Sequence, residues 1–157
     1  MKKIMAFIMM ATMLFTACGE KVPVEITADY LPDEYIKQLP ADIPVMEITE
    51  FTDEYDIFIR NDDEYSRYVV FSANTAVKDF EFYTIAIPVS DTIEYHKEKP
   101  VLHYDNLSEE KSLVIRMNMP ETLPWYGISY TDENGETVNF AIHMSGFDGS
   151  VILEKFE

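Results

Sequence analysis

The sequence holds a single cysteine, Cys18, so it can build neither an intrachain disulfide nor a thiolate metal cage. Histidines are few, at 96, 103 and 143, and their spacings match no zinc-ligand signature and no catalytic motif. Basic residues are scarce as well. Twelve lysines and arginines face 29 aspartates and glutamates, a formal charge of −17 that argues against a nucleic-acid backbone as partner. Five glycines are present, and none belongs to a phosphate loop, a dinucleotide fingerprint or a Gly-x-Ser-x-Gly elbow. The sequence therefore predicts no enzyme and no cofactor. What remains is an ordinary globular mix, 47% hydrophobic and 26% charged, in a length that suits one domain.

The amino terminus is the most informative stretch. Lys2 and Lys3 precede residues 4–17, which carry no charge and end at Cys18. That is a signal-peptide layout. Fourteen residues of helix reach about 21 Å, short of the roughly 30 Å hydrocarbon core, so the segment is expected to be cleaved rather than retained. Leu14, Phe15, Thr16 and Ala17 stand before the cysteine, and this stretch resembles the lipobox of bacterial lipoproteins. The resemblance implies a diacylglycerol on the Cys18 thiol, cleavage before it, and acylation of the new amino terminus. Phe15 departs from the usual leucine three residues before the cysteine, with Leu14 one place further back. An ordinary secretory signal cleaved after Gly19 is the alternative. Acyl chains contribute about 0.8 kcal/mol per buried methylene, so two or three would hold the protein stably on a membrane. Losing residues 1–17 removes Lys2 and Lys3 and no acid, which moves the formal charge from −17 to −19. An anionic lipid surface repels such a chain, leaving the covalent anchor as the attachment. The expected location is extracytoplasmic, at the cell envelope or surface.

Residues 18–44 read as a lipidated tether. Prolines at 23, 32, 40 and 44 interrupt any long element. One short helix over 32–39 is expected, with Pro32 at its first position, Asp33 and Glu34 in the first turn, and Leu31, Tyr35, Ile36 and Leu39 forming a stripe that caps the sheet core.

From residue 45 to 157 the pattern is short runs of Ile, Val, Phe, Tyr and Thr between Asp, Asn, Gly and Pro clusters, which predicts about eight strands. No crossover-length helix separates them. The fold class is therefore mainly β, an antiparallel β-sandwich or open barrel with one short N-terminal helix. Residues 125–156 read as a three-stranded meander with turns at Asn134-Gly135 and Asp148-Gly149. In its middle strand Phe140, Ile142 and Met144 alternate with Asn139, Ala141 and His143, predicting one apolar and one wet face. The run from Gly127 to Gly135, followed by Ser145-Gly146-Phe147-Asp148-Gly149-Ser150, resembles the endings of small bacterial lipoproteins and implies no particular activity.

Three groups of residues could carry chemistry. Asp62, Asp63 and Glu64 offer several oxygens to calcium but lack the spaced Asp-x-Asp-x-Asp-Gly form, and a solvated acidic turn is the plainer explanation. His143 and Ser145 share a strand face, yet same-face neighbours lie about 7 Å apart, too far for a hydrogen bond. Trp125 and Tyr126, after Pro124 at a strand start, are the best candidates for an exposed aromatic ligand platform, set against burial of the tryptophan in the core. The expected role is a membrane-anchored binding or interaction module with an acidic face for a protein partner. A carbohydrate-binding accessory lipoprotein using Trp125 and Tyr126 is the alternative.

Overall fold

Backbone registers in the computed structural model, which describes residues 23–48, 65–86, 94–119 and 124–157, define two sheets. The first has four strands in the order β1 (Ile26–Leu31), β3 (Ser66–Ala73), β6 (Leu113–Asn118) and β2 (Val45–Glu47). The second has five, in the order β5 (His96–Tyr104), β4 (Lys78–Ala86), β7 (Tyr126–Thr131), β8 (Thr137–Met144) and β9 (Val151–Phe156). The two sheets form a sandwich and do not close into a barrel.

Strand alternation builds the core. In β3, Val69, Phe71 and Ala73 are buried while the residues between them are half-exposed, the period of a sheet with one face inward. Phe71 crosses the gap to meet Phe80 at 5.7 Å and Phe82 at 6.4 Å between ring centroids. Leu113, Ile115 and Met117 from the first sheet and Ile128 and Ile142 from the second complete the same cluster.

The registers also fix direction, and so define two ends. At one end lie the start of β1, the end of β3, the start of β4 and the β7–β8 turn. At the other lie the end of β1, the start of β3, the starts of β7 and β9, and the β8–β9 turn. The chain enters at the first end, where the Asn74 side chain donates to the Pro23 carbonyl and accepts from the Glu25 amide, both at 3.0 Å. The Tyr130 hydroxyl donates to the Val24 carbonyl at 3.4 Å.

Four expectations from the sequence need correction. Residues 26–31, placed in the tether, form a strand of the first sheet, because Pro23 and Pro32 bracket it without interrupting it. The helix α1 is shorter, Asp33–Ile36, and buries none of its residues, so it does not cap the core. The sheets are not wholly antiparallel, since β2 runs parallel to β6. Residues 32–44 carry the chain back to the first end, which gives β2 the direction of β1 and β6. Arg116 on β6 then donates to Glu47 on β2 at 2.6 Å. Finally, the outer face of β8 is not uniformly wet. Ala141 is fully buried there and packs with Tyr83 and Ile85 into a second, smaller cluster.

Candidate functional site

The second cluster organises the outer face of the five-stranded sheet. Tyr83 on β4 lays its ring across Gly127 of β7. Its hydroxyl donates to the Ile128 carbonyl at 3.0 Å and reaches Asn139 Oδ1 at 3.4 Å. Burial first, then the Glu81 charge, push the pKa of this phenol well above its ordinary value. Lys97 of β5 sits 4.6 Å above the Tyr83 ring centroid and donates to Glu81, a cation over an aromatic face.

Beside it, Tyr95 joins β8 and β9. Its hydroxyl donates to Glu154 Oε2 at 2.9 Å, and His143 Nε2 approaches the same oxygen at 2.7 Å. An ionised carboxylate only accepts, so Nε2 carries the proton in this arrangement. The Tyr95 ring meets His143 edge-on at 5.8 Å and Phe156 at 5.5 Å. Burial, then the Glu154 hydrogen bond and charge, push the Tyr95 phenol up to about 12. Register explains the meeting of His143 and Glu154: Ala141 pairs with Glu154 and His143 with Ile152, so the two lie diagonally on one face. A cavity of about 460 Å³ opens next to them, lined by Glu94, Tyr95, His96, Glu154, Lys155, Phe156 and Glu157. Its aromatic walls and carboxylates suit an amine- or hydroxyl-bearing group.

The residues singled out from sequence are scattered. Tyr126 is 2% exposed and stacks on Phe82 at 5.0 Å, so its ring belongs to the core and offers no ligand platform. Trp125 is partly buried and packs against the same core. The three histidines do not converge: His96 faces Glu94 at 3.8 Å, His103 faces Asp105 at 3.1 Å, and His143 faces Glu154. Ser145 does not serve His143. Its hydroxyl accepts from the Phe147 and Asp148 amides at 3.3 and 3.4 Å and braces the β8–β9 turn. Cys18 and the acidic group Asp62, Asp63 and Glu64 lie outside the described residues.

A different trio brings donors together at the end where the chain enters. One ligand atom each from Asp79, His103 and Asp105 lie within 4.8 Å of one another, all three residues being exposed. Thr131 Oγ1 donates to Asp79 Oδ2 at 3.2 Å, spending part of that carboxylate within the protein. These residues could hold a divalent cation.

Sequence reasoning singled out His143 but missed Tyr95 and Glu154. The Asp148-Gly149 turn was the available signal, because it sets the β8–β9 register that brings Glu154 diagonal to His143. Among the described residues no helix is long and apolar enough to cross a membrane. No protein-family model matches the chain, and searches of curated proteins and of solved structures find no match.

Proposed function

We propose that the protein is a bacterial lipoprotein, held on the outer side of a membrane through acylated Cys18, that works as a binding module and not as an enzyme. The anchor rests on Lys2 and Lys3, the uncharged run of residues 4–17 and the sole cysteine at its end. The binding role rests on one observation above all: a sheet face expected to be polar carries Tyr95, His143, Glu154 and Phe156, knitted together beside an open cavity. Glu94, Glu154 and Glu157 outnumber Lys155 in the lining of that cavity, in a chain of charge −17, which favours a cationic group borne by a partner protein.

A carbohydrate-binding role keeps one support after the burial of Tyr126, namely the Tyr95 and Phe156 rings flanked by carboxylates. Titration calorimetry with a lysine-rich peptide and with neutral cell-wall glycans separates the two. The interaction module gives saturable binding of the peptide, weakened about ten-fold in Glu154→Gln with the fold retained. Binding of a neutral glycan, lost in Tyr95→Ala, favours the carbohydrate role. Binding of neither removes this face from the proposal.

A further inference from the structure

We infer that the end of the sandwich opposite the entering chain is a docking surface for a partner protein, with Phe147 as the residue that enters an apolar pocket on that partner. The inference goes beyond the binding site proposed on the outer face of the five-stranded sheet and rests on that proposal only for the orientation that the Cys18 anchor provides.

Large hydrophobic side chains left in water gather at this end. Seven are exposed among the described residues, and four of them, Tyr30, Tyr65, Phe147 and Ile152, lie in the β8–β9 turn or one residue from a strand end there, with Tyr35 on the helix that follows β1. Tyr30 is the penultimate residue of β1, Tyr35 lies on α1 directly after it, Tyr65 precedes β3, and Ile152 is the second residue of β9. Edge strands β1 and β9 also meet along one flank, which brings Tyr30 and Ile152 to neighbouring elements. Scattered exposed apolar residues need no explanation, but a grouping at one end of a small domain marks an interaction surface.

Phe147 is the extreme case, at 99% exposure. The turn that carries it is held in place. Around it the Ser145 amide donates to the Ser150 carbonyl at 2.8 Å, and the Gly149 amide donates to the Ser145 carbonyl at 3.0 Å. Asp148 Oδ1 accepts from the Ser150 amide at 3.0 Å and from the Ser150 hydroxyl at 2.7 Å. Gly149 takes the left-handed φ of +73° that closes the turn. A turn fixed in advance spares the ordering cost of binding, and an aromatic ring presented on it is the usual anchor of a protein interface.

Charge and position select the occupant. Asp29, Asp33 and Glu34 around Tyr30 and Tyr35 and Asp148 beside Phe147 outnumber the cations Lys37 and Arg67 at this end, so an anionic bilayer is repelled and a pocket rimmed by lysine or arginine is matched. A second copy would set these same carboxylates against one another. The five residues from Gly19 to Pro23 span at most about 17 Å, while strands of six to eight residues set the Phe147 end about 20–27 Å beyond the entering chain, away from the anchoring membrane.

The test places photoreactive benzoyl-phenylalanine at 147, at 35, or at Glu133 in the β7–β8 turn at the other end, in the full chain expressed in its own cells. Positions 147 and 35 should give the same single protein adduct, cross-linked to apolar residues flanked by basic ones, and position 133 should give none. Phe147→Ser should lower the adduct yield from position 35 at least ten-fold without changing the melting temperature. A lipid adduct, an adduct with a second copy, or a yield at 147 no higher than at 133 would overturn the inference. The membrane fraction of the same cells reports the anchor separately, so its loss and the loss of the cross-link are distinguishable.

Discussion

The Tyr83 ring and Gly127 are mutually dependent: a Cβ at position 127 would stand 2.5 Å from Tyr83 Cε2 and 2.7 Å from the Phe140 carbonyl oxygen. Glycine is required there because a buried ring occupies the space of a side chain on the neighbouring strand. Gly127→Ala is therefore expected to destabilise the fold by about 1–3 kcal/mol through overpacking. An unchanged urea midpoint would mean that Tyr83 does not lie over the β7 backbone.

Gly135 presents the opposite case, since nothing stands within 4 Å of a Cβ there and its φ is +83°. Any cost of substitution is then conformational and not steric. Gly135→Val should cost about 1–3 kcal/mol, while Gly135→Asn, which tolerates the left-handed region, should cost clearly less. Equal melting temperatures for the two variants would contradict the turn geometry.

Asp148 gives a dependence on pH. Hydrogen bonds from Ser150, and then from Ser145, hold its carboxyl down at about 2. A lowered carboxyl pKa means that the stabilisation is complete above the unfolded value near 4 and is lost as pH falls towards 2. Asp132 is lowered in the same direction, chiefly by the Glu136 amide. Thermal melts between pH 5 and 2 should fall less steeply for Asp148→Asn than for the wild type. Parallel curves would place Asp148 outside the turn's hydrogen bonds.

Tyr95→Phe keeps the ring contacts to His143 and Phe156 and removes only the hydroxyl that bonds Glu154. A loss of about 1 kcal/mol is expected at neutral pH. The Tyr95 phenol is raised to about 12, so its contribution holds below about pH 10 and disappears as pH rises through 12. The gap between wild type and variant should narrow over that interval. A gap that stays constant would mean that Tyr95 and Glu154 are not coupled.

Strands with one buried face were legible from sequence, and the 66–73 strand and the 125–156 meander appear where alternation and the Asn134-Gly135 and Asp148-Gly149 pairs place them. Where local signals conflict with their surroundings, legibility ends. Residues 26–31 lay hidden between prolines that flank a strand and do not break it. Pro100, Lys97 and Lys99 interrupt the apolar alternation of β5, yet it is one edge strand, where a missing amide costs nothing and positive charge discourages further pairing. Four consecutive buried residues from Phe82 to Ile85 carry no period of two, because interior strand β4 is covered on both faces. The candidate site was half visible. His143 drew attention as a rare histidine, whereas Glu154 was one of 29 acids and Tyr95 one of ten tyrosines. Only the register brings them together.

Intact-mass spectrometry of the protein extracted from membranes bears on the Cys18 anchor without any knowledge of a ligand. The expected species begins at Cys18 and carries a thioether-linked diacylglycerol, and Cys18→Ala should move the protein out of the detergent phase. A chain beginning after Gly19 and recovered in the soluble fraction, or a Cys18→Ala protein that is cleaved and stays membrane-bound, would contradict the anchored binding module.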